Sequence, residues 1–375
     1  MTDIQSIVMP KWGLAMEEGT LNTWMVAEGT TIIKGQEIAE IETTKITNVF
    51  ESPSNGNLRR LVAQPGATLP VGSLLAVLAP STVSDAEIDH FVSGFVVRAK
   101  DEAEEGGGTA EYRFEMADGR ALVYKAAGTD REGTPALLLH GFGGDSDNWL
   151  FNIDALAADR PIYALDLPGH GKSAKQLDQG DLDELVHAAI ALLDVIKAEK
   201  AHLVGHSLGG AIALRLWQKY PDRIASFTGI APAGLGNTVN RQYVRGFIDA
   251  EKRKELKAAL QMLFADPSLV SAAMIEGVQR FKRLEGAREA LRTIAERNFP
   301  DGRQTADFRS FLQGVDKPAL VIWGERDIIL DPGISEQLPK SVSVGRLADV
   351  GHMPQMEAAR AVNERLIAHF ATAET

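Results

Sequence analysis

The stretch "AHLVGHSLGGAIALRLWQKY", residues 201–220, reads as a strand, a tight turn and a helix in immediate succession. "AHLVGH" is strand-like and "GAIALRLWQKY" carries the helical pattern. Between them lies G-x-S-x-G with Ser207 at its centre, the strand–turn–helix setting of a nucleophile elbow. Glycines flank such a serine because a sharp turn brings neighbouring backbone too close for side chains. The helix N-terminus that follows stabilises negative charge developing beside the serine.

Working outward, residues 111–375 alternate apolar runs with helical patterns. Two strand-like stretches, "YRFEMADG" and "ALVYKAAG", come first. They are followed by "ALLLHG" (136–141), "IYALDLPG" (162–169), "AHLVGHS" (201–207), "SFTGIAP" (226–232) and "ALVIWG" (319–324). Near-continuous apolar strands separated by helices imply a mostly parallel sheet covered on both faces. A charged helical region over 233–310 interrupts the alternation and reads as a lid.

A serine nucleophile needs a base, and a base needs an orienting acid. With the chain order serine, acid, histidine, the base is His352 or His369. His369 lies within a terminal helical pattern, whereas His352 follows Gly351 in the loop "ADVGHMPQME", so His352 is the candidate. For the acid, "WGERDIIL" follows a buried-type strand and offers Asp327, with Glu325 as fallback. Asp331 reads as a turn residue before Pro332, and Asp349 is only three residues from His352. The oxyanion hole is expected from the amides of Leu208, directly after the serine, and Phe142 in "HGFGG" (140–144). His140, His170 and His206 read as structural. No G-x-x-x-x-G-K-[ST] is present, and "PGHGKS" lacks its spacing, which argues against nucleotide hydrolysis. The motifs "HGFGG", "GHSLGG", "GERD" and "GHMP" occur in the order found in the α/β-hydrolase fold family, which residues 111–375 resemble over nearly their whole length.

The first 80 residues follow another plan. Shifted by 37 residues without a gap, 19–41 lands on 56–78, and Gly19, Leu21, Gly29, Thr31, Gly35 and Ala39 meet Gly56, Leu58, Gly66, Thr68, Gly72 and Ala76. Glycines kept in register imply the same backbone turns used twice, hence two β-units about a pseudo-twofold axis. Lys45 sits in "EIETTKITN" (40–48), the link between the units. Residues 1–80 resemble a lipoyl domain of the 2-oxo-acid dehydrogenase complexes, although Thr44 stands where that family commonly has an acidic residue. A biotinyl domain would flank the lysine with methionines; here the neighbours are Thr44 and Ile46. The resemblance implies lipoate carried covalently on Lys45 after attachment by a lipoate ligase. Residues 81–110 read as a linker containing a short helix, with the polar tether "DEAEEGGGT".

A small all-β lipoyl-type barrel followed by an α/β-hydrolase-fold unit resembles the dihydrolipoyl acetyltransferase component of bacterial acetoin dehydrogenase systems. That resemblance implies acetyl transfer from the lipoyl arm to coenzyme A through an acyl-serine. The partners it implies are a thiamine-diphosphate-dependent dehydrogenase component and dihydrolipoamide dehydrogenase. The H-x-x-x-D-G motif of the usual acyltransferase domain is missing. Two other readings remain: a serine esterase or thioesterase with a carrier domain, and a lipoyl carrier with a non-catalytic scaffold.

Composition bounds the alternatives. With 375 residues the chain is long enough for two domains, and 45% apolar with 24% charged residues is ordinary globular composition. A net charge of −12 argues against nucleic acid or an anionic membrane as the main partner. The absence of cysteine excludes disulfides, thiolate catalysis and thiolate metal sites. No basic-then-apolar leader and no apolar run of about 18 residues is present, so the expected location is the cytoplasm.

Overall fold

The computed structural model describes residues 4–10, 18–42, 47–94, 109–116 and 118–374. The chain forms two compact units, Met1–Glu102 and Ala103–Thr375. The first contains β1 (Gln5–Val8), β2 (Glu18–Trp24), β3 (Thr31–Ile32), β4 (Glu37–Glu42), β5 (Thr47–Glu51), β6 (Gly56–Leu61), β7 (Thr68–Pro70) and β8 (Leu74–Leu78), then helix α1 (Asp85–Gly94). The strands make two four-stranded sheets, ordered β1-β8-β6-β3 and β5-β4-β2-β7.

The 37-residue offset maps one sheet onto the other: β4 onto β8, β2 onto β6, and β3 onto β7. Each half also lends its short strand to the other, since β3 pairs with β6 and β7 with β2. The turns repeat as well. Gly29 and Gly66 have φ of 89° and 85°, Gly35 and Gly72 have 84° and 86°, all in the region that a side chain disfavours. Their hydrogen bonds are paired too: Gly29 N–H donates to Leu58 O at 2.7 Å, and Gly66 N–H to Leu21 O at 2.6 Å. The core obeys the same rule, with Leu21, Ile38 and Ile41 buried in one half and Leu58, Leu75 and Leu78 in the other.

Helix α1 starts with a capping box, in which Ser84 N–H reaches Glu87 Oε2 (2.9 Å) and Glu87 N–H reaches Ser84 Oγ (3.3 Å). It buries Ile88 with Leu74 and Val77 of β8, and Arg59 and Arg60 of β6 pair with its Asp85 and Asp89. Strands β4 and β5 pair as far as Glu42 and Thr47. Lys45 lies among the four residues between those ends, outside the described residues.

The second unit opens with β9 (Ala110–Glu115), β10 (Ala121–Ala127), β11 (Ala136–Leu139), α2 (Ile153–Leu156), β12 (Ile162–Leu165), α3 (Leu182–Val195), β13 (Ala201–His206), α4 (Leu208–Lys219) and β14 (Ile224–Ile230). A helical insertion follows: α5 (Arg241–Asp249), α6 (Arg253–Gln261), α7 (Ala272–Lys282), α8 (Ala287–Asn298) and α9 (Arg309–Leu312). The chain then returns through β15 (Ala319–Gly324), β16 (Val342–Leu347), α10 (Pro354–Glu357) and α11 (Ala359–Thr372). The eight strands are ordered β16-β15-β14-β13-β11-β12-β10-β9, parallel except where β10 meets β12 and β9.

Alternation along the strands divides two cores. Leu137, Leu139, Leu203, Val321 and Trp323 face the layer of α3, α4 and the insertion, while Leu138, Val204, Leu320 and Ile322 face α2 and α11. Each fully buried aliphatic side chain contributes about 2 kcal/mol relative to exposure, so both faces must be covered for these strands to be stable. No described helix is long and apolar enough to cross a membrane.

His202, on β13, is fully buried, with Nδ1 at 2.8 Å from Ser226 Oγ and Nε2 at 3.2 Å from Glu374 Oε1. Burial lowers its pKa to about 4, with Arg160 adding to the shift and Glu374 opposing it. A histidine depressed in the folded state contributes stability that is complete above its unfolded pKa and is lost as pH falls towards the folded value. His202→Asn is therefore expected to flatten the dependence of unfolding free energy on pH between about 6.5 and 4, by up to about 1.4 kcal/mol per unit. Denaturant titrations across that window measure the slope. A second prediction concerns the duplication. A Cβ at Gly29 or Gly66 meets nothing within 4 Å, so Gly29→Ala and Gly66→Ala carry only backbone strain. Each should cost about 1 kcal/mol, and equally, as read by hydrogen exchange over 18–42 and 56–78.

Candidate active site

The loops that hold the candidate residues leave the carboxyl ends of parallel strands, where open α/β sheets place their sites. Ser207 links β13 to α4 with φ 51° and ψ −115°, a left-handed conformation that costs about 1–3 kcal/mol in a non-glycine residue. Its surroundings enforce that turn. A Cβ on Gly209 would lie 2.1 Å from Leu139 O, and one on Gly205 would lie 2.3 Å from Gly209 O. Ser207 N–H donates to Ile230 O (3.0 Å), and Ser207 O accepts from Ala233 N–H (2.9 Å), which pins both sides of the turn. The serine remains half-buried, between fully buried His206 and Leu208.

Asp327 lies beyond β15 with its side chain fully enclosed, and four donors converge on it. His352 Nδ1–H and Trp323 Nε1–H donate to Oδ2 at 2.7 and 2.9 Å; the amides of Ile329 and Leu330 donate to Oδ1 at 2.7 and 3.0 Å. Burial by itself would raise the carboxyl's pKa, but the His352 ring and the backbone N–H groups outweigh it and hold it below the ordinary range. The rival acids are engaged elsewhere. Glu325 pairs with Arg346 (3.2 Å), Asp349 with Arg326, and Asp331 accepts from Gly333 N–H (2.8 Å).

Asp327 occupies Nδ1 of His352, which leaves Nε2 as the basic atom. The ring's backbone is tied on three sides. Leu263 O, at the end of the α6 turn, accepts the His352 N–H at 2.8 Å. His206 Nε2–H donates to His352 O at 2.8 Å, and the two rings lie 4.9 Å apart. Glu357 Oε1 accepts from Gly351 and Met353 N–H on either side, while its Oε2 accepts from Ala265 N–H in the insertion. Burial lowers the pKa of His206 to about 3, with the adjacent His352 reinforcing the shift, so His206 is neutral. His140 is also neutral, because its Nε2 accepts from Leu167 N–H (3.0 Å) while Nδ1 faces Gly141 O (2.8 Å).

Leu208 is the first residue of α4, so its N–H is one of those that a helix leaves without an intrahelical acceptor. Phe142 follows Gly141, where a Cβ would come within 3.1 Å of Ser207 Cβ, so the two loops abut. The insertion packs onto the same loop. Tyr243 Oη donates to Phe142 O at 3.4 Å, and a Cβ on Gly143 (φ 74°) would be 2.4 Å from the Phe247 ring. The structure thus brings Ser207, His352, Asp327, Phe142 and Leu208 to one end of the sheet; Lys45 lies outside the described residues.

Three contributors were not read from the sequence. Trp323 is signalled only as a strand residue four before the acid, Glu357 only as a helical acid five after the histidine, and Tyr243 by nothing local. Glu357 and Tyr243 act through backbone groups, and Trp323 through a side chain that only the turn beyond β15 brings to its indole.

The family model described as "alpha/beta hydrolase fold" matches residues 134–359, and that described as "Biotin-requiring enzyme" matches residues 5–78. The dihydrolipoyllysine-residue acetyltransferase component of the acetoin cleaving system of Pseudomonas putida is 47% identical over 98% of this chain and 99% of that protein. Its counterpart from Cupriavidus necator is 45% identical over 97% of this chain and 96% of that protein. In fold, the chain resembles a crystal structure of a serine hydrolase from a Cycloclasticus bacterium, with a TM-score of 0.62 and 22% identity over 69% of this chain and 96% of that one. Two domain matches and identity that extends end to end place this chain in the family of dihydrolipoyllysine-residue acetyltransferase components of acetoin cleaving systems.

Proposed function

We propose that this chain moves an acetyl group from a lipoyl arm on Lys45 to coenzyme A through an acyl-serine at Ser207. The observation that carries this reading is the Asp327–His352 bond of 2.7 Å beside the strained serine turn, in a chain that also holds a lipoyl-type unit. The division proposed is a carrier over 1–80, a tether with its helix over 81–110 and a catalytic unit over 111–375, with the insertion over 233–310 as a lid. When bound, the lipoyl group supplies its acyl cargo as a thioester. A thiamine-diphosphate-dependent component of the acetoin cleaving system is the proposed source of that cargo, dihydrolipoamide dehydrogenase reoxidises the arm, and a lipoate ligase attaches it.

His352 Nε2 takes the proton from Ser207 Oγ as the oxygen attacks the thioester carbonyl. The carbonyl electrons move onto oxygen, facing the Phe142 and Leu208 amides, and return as the carbon–sulfur bond breaks. His352 hands its proton to the departing thiolate. The coenzyme A thiol then loses its proton to His352 and attacks the acyl carbon, and Ser207 leaves and recovers the proton. Asp327 holds the imidazole in the tautomer with hydrogen on Nδ1 and stabilises the imidazolium that forms twice in the cycle. Water competes in the second half. The contacts of Tyr243, Phe247 and Leu263 with the two catalytic loops support a covering role for the lid.

With acetyl-dihydrolipoamide as donor, acetyl-coenzyme A should form faster than free acetate, and Ser207→Ala should abolish both; acetate at the same rate with and without coenzyme A would make the chain a thioesterase. Lys45→Arg should keep transfer from that free donor and lose only turnover that starts from the dehydrogenase component. Asp327→Asn should lower kcat by about a thousandfold or more while leaving the elbow folded, measured by steady-state transfer alongside thermal unfolding.

A further inference from the structure

The helical insertion contains a pocket of about 340 Å³ that the reaction described above does not use. It is formed by α5, α8 and the turn Pro300–Gly302, and its volume lies in the range of small-molecule sites. Three guanidiniums line it: Arg241 and Arg245, one turn apart on α5, and Arg292 on α8. Their side chains are 51%, 59% and 47% exposed, so their N–H groups reach solvent in the pocket. Arg241 and Arg245 converge on a single carboxylate oxygen, Asp301 Oδ1, at 3.1 and 3.3 Å. The two α5 guanidiniums have five donors each, so one shared oxygen leaves most of them unused, while Arg292 pairs with Glu289 of its own helix at 3.1 Å. Asp249 and Glu296 also border the pocket, which limits its net charge and favours a ligand that can displace Asp301.

Asp301 itself has φ 50° and ψ 29°, a left-handed residue held between two arginines. Its carboxylate stands where a phosphate would sit, with the guanidiniums already gathered, and a phosphate offers more charge and more acceptor oxygens. The pocket floor is apolar, with Val244, Ile248, Ala295 and Phe299. Phe299 in turn packs edge-on against Phe142, with ring centroids 6.3 Å apart. The arginine pocket and the candidate oxyanion loop therefore meet at one aromatic contact.

We infer that the Arg241–Arg245–Arg292 pocket binds the phosphorylated adenosine end of coenzyme A, displacing Asp301 from the α5 arginines. This inference rests on coenzyme A being the acceptor, and its test separates the two. Calorimetric titration of the full chain with adenosine 3′,5′-bisphosphate needs no turnover. Wild type should bind it, and Arg241→Gln/Arg245→Gln should weaken binding by about tenfold or more, the loss of one or two charge-assisted hydrogen bonds. Asp301→Asn removes the competing carboxylate and keeps a residue that tolerates left-handed φ, so it should bind severalfold tighter. In turnover, wild type should prefer coenzyme A to pantetheine, and the double arginine variant should lose that preference. No binding by wild type, equal binding by the double variant, or weaker binding by Asp301→Asn would each overturn the pocket assignment. Bisphosphate binding that follows these variants, in a chain that releases only acetate, would uphold the pocket as a nucleotide-phosphate site and remove the transferase reading.

Discussion

The carboxylate of Asp327 is the constraint on which the candidate site depends. It is enclosed by protein and would be costly there unless every lone pair were used. Four donors meet that demand: an imidazole, an indole and two backbone amides. The indole comes from β15 itself, and the amides come from the loop just beyond the acid. Satisfying the charge therefore fixes the end of the strand, the path of the loop and the tautomer of His352 together.

From that anchor the rest of the site follows by backbone contacts. His352 is held by backbone bonds to Leu263 beyond α6 and to His206, and its neighbours Gly351 and Met353 by Glu357. The elbow is held by crowding, since a Cβ at Gly205 or Gly209 would collide with main-chain atoms. The helical insertion touches both the Phe142 loop, through Tyr243 and Phe247, and the His352 loop, through Leu263 and Ala265. The strain stored at Ser207 is small beside the burial energy of two large cores, which is why such a turn persists.

The amino-terminal unit uses a different economy of design. Two copies of one β-pattern trade their short strands, so neither copy buries its apolar face without the other. Four glycines with nearly the same φ repeat the two turns. A unit this small gains from such duplication, because each solved packing problem is used twice.

Much of this was legible along the chain. The 37-residue repeat, the parallel-strand pattern and the elbow depend on local spacing, so the sequence by itself determined the two unit types and the position of Ser207. The placement of His352 in a loop and of His369 in a terminal helix was also readable, and there the His369 Nε2 meets Phe227 O. Tertiary structure decided what spacing cannot express. Asp327, Glu325, Asp331 and Asp349 are all near one another in sequence, and only the register of β15 against the loop directs one of them to Nδ1 of His352. Glu357 reaches Ala265 and Tyr243 reaches Phe142 across about a hundred residues, Trp323 meets Asp327 only because the loop beyond β15 turns back on its strand, and the arginines of α5 meet α8 and Asp301 only after the insertion has folded. Local pattern encodes which groups are available; the three-dimensional path encodes which of them share a dry, low-dielectric space, and that sharing gives them their chemistry.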